Sequence, residues 1–109
     1  MANVYKNAKV DFTTTDNTTV YTSPSNSRAI IKSILVSEDS GNADSISVTL
    51  TDASSNVFSL FKTKTVSANA TEELISQPII LQESEILKAQ ATTAGRLHMV
   101  VSLLEINRE

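Results

Sequence analysis

A chain of 109 residues, 40% hydrophobic and 19% charged, is long enough to bury one core and too short to hold two. Its net charge of −3 argues against general nucleic-acid binding, which needs a basic surface to displace counterions from phosphates, and the absence of cysteine rules out a disulfide framework or a thiolate metal site. No apolar run approaches the roughly 20 residues that cross a bilayer, and MANVYKNAKVDF lacks the apolar centre of a secretion signal, so a soluble, unexported product is expected.

Serine and threonine supply about a quarter of the chain, which suits the wet faces of antiparallel strands. Residues 1–19 place Val4, Tyr5, Val10 and Phe12 among Asn, Lys and Asp before the polar run TTTDNTT. This predicts an N-terminal extended arm or edge strand ahead of a β-sandwich domain over 20–109. Two uses of the arm are open: closing one edge of the domain's own core, or pairing with a neighbouring subunit by strand addition. Thr19–Thr22 reads as a short strand halted by Ser23-Pro24-Ser25-Asn26-Ser27, since proline holds its predecessor extended and small polar residues favour turns.

The segment RAIIKSILVSE, Arg28–Glu38, is rich in β-branched residues. Simple alternation puts Ile30, Ile34 and Val36 on one face with Lys32, and Ile31 and Leu35 on the other, so both faces are partly covered, as in a central strand or one near an interface. Asp44–Asp52, DSISVTLTD, alternates strictly: Ile46, Val48 and Leu50 point one way, Ser45, Ser47, Thr49 and Thr51 the other. The turn-forming EDSGNAD between the two segments predicts that they pair with each other.

Val57–Thr63 forms a further strand, with Phe58 and Leu60 on one side and Val57 and Phe61 on the other. Its phenylalanines either fill the core or meet a partner. Thr71–Ile75 reads as strand rather than helix, because Leu74 alone is too little to bury a helix face and Gln77-Pro78 ends the segment. Short strands at Ile79–Leu81 and Ile86–Ala91 follow. The last, Arg96–Ile106, carries Leu97, Met99, Val101 and Leu103 on one face, and Val100, Leu104 and Ile106 among Arg96, His98 and Ser102 on the other, so it is predicted to be central. About eight short strands with turn signals near every tenth residue predict an all-β fold, an antiparallel β-sandwich or jelly roll.

Catalytic patterns are sparse. Hydrolysis needs a nucleophile, a base and a group to orient the base, yet His98 is the only histidine. The Ser59-Leu60-Phe61-Lys62 spacing of some acyl enzymes lies on a predicted strand without companion motifs. Glu38, Asp39, Asp44 and Asp52 flank loops and could gather around calcium, but their spacing fits no compact ligand loop. Asn17-Thr18-Thr19 and Asn69-Ala70-Thr71 match the glycosylation pattern without an export signal. Two glycines make no phosphate cradle. No enzyme activity, metal or cofactor is expected.

TTTDNTTVYTSPSNSRAIIKSILVSEDSGNADSISVTLTD, then VSANATEELISQPIILQESEILKAQAT and the closing LHMVVSLLEI, resemble small virion proteins of tailed bacteriophages, many from marine bacteria and cyanobacteria. The resemblance spans nearly the whole chain in strand-and-turn phrasing and carries over no functional residue. Where that group tends to have glycine in turns, this chain has serine, asparagine and alanine. It implies a β-sandwich subunit of the phage particle, made in the host cytoplasm, oligomeric (a trimer is one form) and bound to major capsid, neck or tail proteins. The expected role is a capsid decoration or cement protein; a neck, tail or baseplate subunit is the alternative, and a carbohydrate-binding module a further one. The residues expected at a subunit or shell interface are Val4, Tyr5, Val10, Phe12 and Phe61.

Overall fold

The structure, a computed structural model, describes residues 2–107. Among these residues, nine strands run in chain order: β1 (Ala2–Asp11), β2 (Thr18–Thr22), β3 (Ser27–Glu38), β4 (Asp44–Thr51), β5 (Val57–Val66), β6 (Thr71–Glu73), β7 (Ile79–Leu81), β8 (Ile86–Ala91) and β9 (Leu97–Asn107). No helix occurs among the described residues. The strands form two antiparallel sheets. The first has the order β1-β9-β3-β6, with β7 also on β3; the second has the order β2-β8-β4-β5.

The pairing is nested. β4 pairs with β5, β3 with β6 and β7, β2 with β8, and β1 with β9. One long hairpin thus folds over itself, and β9 gains β3 while β8 gains β4 as second neighbours. This is the jelly-roll solution to burying two apolar faces between stacked sheets. β6 and β7 are halves of one edge strand: Leu35 to Ser37 pair with β6 and Ala29 to Ile31 with β7. The intervening segment turns Leu74 and Ile75 into the core instead of continuing the ladder.

The core is aliphatic. Ile31, Ile34 and Val36 from β3 and Leu97, Met99, Val101 and Leu103 from β9 face Ile46 and Val48 from β4 and Leu87, Ala89 and Ala91 from β8. At roughly 1.5–3 kcal/mol for each buried aliphatic side chain, this layer is the main favourable contribution to folding.

Two expectations are corrected. Strands β3 and β4 do not pair, because they belong to different sheets and the 39–43 connection crosses between them. Each carries an apolar face, and stacking those faces buries both, where a hairpin would lay them side by side. Nor does β3 alternate evenly. The register with β9 shifts between Ile31 and Ser33, a bulge that leaves Lys32 outside and brings Ile31 onto the inward face with Ile34 and Val36. Ile30 and Leu35 then lie on the outer face.

Left-handed backbone occurs at Gly41 and Gly95, and also at Ser55, Asn69 and Ser84. The turns without glycine keep the same conformation, at the steric cost that a Cβ brings there.

Candidate interaction surface

The two outer faces differ in chemistry. On the second sheet, Ser45, Ser47 and Thr49 of β4 alternate with inward residues, and Lys88 and Gln90 of β8 stand beside them. Several of these groups are already bonded: Ser47 Oγ accepts from the Thr63 N–H at 3.0 Å, Gln90 Nε2 donates to the Thr15 carbonyl at 2.8 Å, and the Ser45 and Thr92 hydroxyls meet at 2.6 Å. This face is wet.

On the first sheet, the ladder lines up Tyr5, Leu104, Ile30 and Ile80 across β1, β9, β3 and β7. Strand spacing makes this an apolar row about 14 Å wide. A second row aligns Lys9, Val100, Leu35 and Glu73, and between the two lie Asn7, Ser102 and Ser33. Tyr5 is 76% exposed, Ile80 52%, Leu35 39% and Val100 38%. Large apolar side chains grouped on one face of a small domain mark a contact surface, whereas scattered ones need no explanation.

The residues predicted for an interface fall in different places. Tyr5 stands in the apolar row. Val4 is 38% exposed at the mouth of the sandwich, opposite Glu105. Val10 and Phe61 are half-buried and pack on the core. Phe12 is 2% exposed, so it offers nothing to a partner: its N–H donates to the Leu97 carbonyl at 3.1 Å and its carbonyl accepts from Gly95 at 2.8 Å, which pins the ring inward. The exposed phenylalanine is Phe58, 54% exposed beside Val57 and paired with Leu50. Register breaks in β5, one beside the left-handed Thr63, explain why alternation misplaces the two rings. The sequence reading left Leu104, Ile30, Ile80, Leu35 and Val100 off the surface. Their signal was the apolar residues on both faces of β3 and β9.

The buried carboxylates hold the scaffold. Glu105 is 4% exposed at one end of the sandwich, where it accepts from the Tyr21 hydroxyl of the opposite sheet and from Lys6 Nζ at 3.2 Å. The Tyr21 hydrogen bond and the Lys6 charge outweigh desolvation and lower its pKa. Desolvation first, then Glu105, raise that of Tyr21. Glu38 is 2% exposed and accepts from the N–H groups of Ser40 at 2.8 Å, Gly41 at 3.1 Å and Asn69 at 2.9 Å, and from the Ser40 hydroxyl. Burial pushes its carboxyl up, but these donors prevail and hold it at about 2. Asp52 binds the N–H groups of Asn56 and Ser54, both at 2.9 Å. The Asn56 N–H leads in lowering its pKa, against desolvation. Asp44 accepts from the Thr93 N–H at 3.0 Å.

Glu38 and Asp52 tie down their own loops, Asp44 holds the turn at Thr93 and Glu105 joins the two sheets, and no cluster of three metal-ligating residues occurs among the described residues. His98 lies between Asp11 at 3.2 Å and Asp39 at 3.6 Å on the outer surface. Both ring nitrogens therefore face carboxylates, not a hydroxyl to activate. Ser59 and Lys62 lie exposed on β5.

The sequence matches no protein-family model, and no curated protein is similar to it in sequence. Solved structures share the fold. A chain from Bacillus endospore appendages, described as a novel family of disulfide-linked pili, superposes with a TM-score of 0.57 at 9% identity, covering 98% of this chain and 89% of that one. A chain from the acid-stable capsid of Helicobacter pylori bacteriophage KHP30 superposes with a TM-score of 0.57 at 12% identity, covering 99% of this chain and 95% of that one. At these identities the likeness is one of fold, and in both cases it takes in nearly the whole of each chain.

Proposed function

We infer that this chain is a non-enzymatic structural subunit of a bacteriophage particle, a capsid decoration protein that bridges neighbouring head subunits. The observation that carries this reading is the apolar row across the outer face of the first sheet, set against the polar outer surface of β4 and β8 in the second. Four strands contribute to that row, which makes it a surface for contact, whereas β4 and β8 meet water. The fold shared with a chain of the KHP30 capsid supports it. Multiplicity supplies the mechanism: each copy adds a modest interface, and many copies tying adjacent subunits together resist internal pressure through avidity.

A fibre subunit on the pattern of the endospore appendages is disfavoured, because a chain without cysteine cannot make disulfide links between copies. The neck, tail or baseplate alternative uses the same surface. Carbohydrate binding is disfavoured because there is no Trp, and Tyr21 is already bonded to Glu105.

Copy number in purified particles is the test. A decoration protein is present in hundreds of copies and a neck or tail ring in tens or fewer; absence from the particle overturns the virion reading. The surface is tested by the double variant Leu35→Lys, Ile80→Lys. It is expected to stay folded, since both side chains point to solvent, and to vanish from particles. Unchanged incorporation overturns the assignment of this face.

A further inference from the structure

A jelly roll leaves four sheet edges, and three are blunted. β2 is five residues long with a register shift between Thr19 and Tyr21. β5 breaks register twice against β4 and carries the exposed Lys62 and Lys64 around a left-handed Thr63. The β6/β7 edge is two three-residue pieces. Short strands, bulges and lysines are the usual devices that keep an edge from pairing with another chain.

β1 has neither break nor bulge. It runs ten residues in unbroken register with β9, from Ala2 opposite Asn107 to Asp11 opposite His98, and no strand among the described residues pairs with its outer side. One of its two lysines is no guard, because Lys6 reaches Glu105. The N–H and carbonyl of Phe12 both point toward the β9 side. Counting back in steps of two, the main-chain groups of Asn3, Tyr5, Asn7 and Lys9 point to the open edge, while at its far end the Asp11 carbonyl accepts from the Thr13 N–H at 2.9 Å.

We propose that two copies of this chain pair through β1, antiparallel about a two-fold axis at Asn7, joining the two first sheets into one continuous sheet. The register follows from charge and overlap, since a centre near the middle of β1 pairs the greatest length of strand. Centring on Asn7 sets Tyr5 against Lys9, Asn3 against Asp11, Val4 against Val10 and Lys6 against Ala8, with no like charges opposed. Centring on Lys6 opposes two lysines, and centring on Lys9 opposes two more. In the favoured register the second lysine, Lys9, lies along the Tyr5 ring of the other copy and so becomes a contact. The row Ile80–Ile30–Leu104–Tyr5 of one copy then continues into Lys9–Val100–Leu35 of the other, doubling the width of the apolar face. This pairing goes beyond the virion reading and does not depend on it.

The purified chain is expected to sediment at twice its monomer mass. Asn7→Pro removes an N–H that faces the open edge and none from the β1–β9 ladder, so it should give a folded monomer whose melting temperature is little changed. If that variant fails to fold, cysteine cross-linking decides. The chain has no cysteine of its own, and residues opposed in a hydrogen-bonded antiparallel pair lie about 5.5 Å apart at Cα, within disulfide reach. Asn7→Cys should cross-link with itself on mild oxidation. Tyr5→Cys and Lys9→Cys should cross-link only when mixed. A monomer at every concentration, a dimer that survives Asn7→Pro, or equal cross-linking at all three positions overturns the proposal. Loss of the dimer says nothing about copy number in particles, so the two readings fail separately.

Discussion

Replacing Phe12 by alanine tests whether the N-terminal segment belongs to the subunit's own core. Phe12 heads the largest fully buried side chains, at 2% exposure, and it is anchored on both its backbone groups. Removing a buried phenylalanine ring costs about 3–5 kcal/mol, the lost transfer energy plus the unfilled cavity. A domain of this size has a total stability of about 5–15 kcal/mol, so the variant should be marginal but foldable in favourable conditions. With a urea slope near 2 kcal/mol/M, the unfolding midpoint should fall by about 2 M. At about 4 °C per kcal/mol the melting temperature should drop by roughly 12–20 °C. Phe12→Leu, which keeps much of the apolar volume, should lose less. Equilibrium urea unfolding and thermal melting of the isolated protein and both variants, followed by circular dichroism, measure these losses. A loss under about 1 kcal/mol for Phe12→Ala would refute the reasoning, because a ring waiting for a partner costs the free subunit almost nothing when it is removed.

Three further outcomes follow from the geometry. Tyr21→Phe leaves Glu105 without its cross-sheet donor and should cost about 1.5–3 kcal/mol; a double-mutant cycle with Lys6→Met should show coupling, and strict additivity would deny the network. Glu38, at about 2 in the folded chain against 4.5 ordinarily, binds protons less readily when folded, so the stability it contributes is complete above about pH 4.5 and drains as the pH falls toward 2. Melting temperature against pH should therefore decline through that window, and Glu38→Gln should flatten the decline. Ser84→Gly relieves a left-handed serine and should raise stability by up to about 1 kcal/mol, offset in part by greater freedom of the unfolded chain, whereas glycine at Ser25, which is not among the positive-φ residues, should not.

Much of the fold was legible because alternation survives wherever a strand is regular. β4 and β9 show this best: Ile46, Val48, Leu97, Met99, Val101 and Leu103 are all fully or almost fully buried, on the faces that their spacing indicates. Alternation fails at bulges, which add a residue without leaving a mark in composition. That is why Ile30 and Ile31 exchange faces, and why Phe58 and Phe61, three residues apart, are paired with Leu50 and Val48 of one face instead of lying on opposite faces. The β3–β4 pairing was misjudged for a different reason. Turn residues announce that a chain reverses but not whether it returns in the same sheet or the opposite one, and that choice depends on where the apolar faces can be stacked. The outer-face rows were illegible as rows, since they need the strand order β1-β9-β3-β7, which couples residues about a hundred positions apart. The individual residues still carried a trace, in the oil on both sides of β3 and β9.

The nested pairing also governs how the molecule is born. β9 follows all the other described strands yet sits in the middle of its sheet, between β1 and β3. While a ribosome is still delivering residue 96, β1 has no neighbour in its sheet and β3 holds only its short partners, so Ile31, Ile34 and Val36 lack most of their cover. Contacts so distant in sequence form slowly, and the waiting intermediate is sticky. Until β9 arrives, the inner face of β3 is open to wrong partners as well as to its own core.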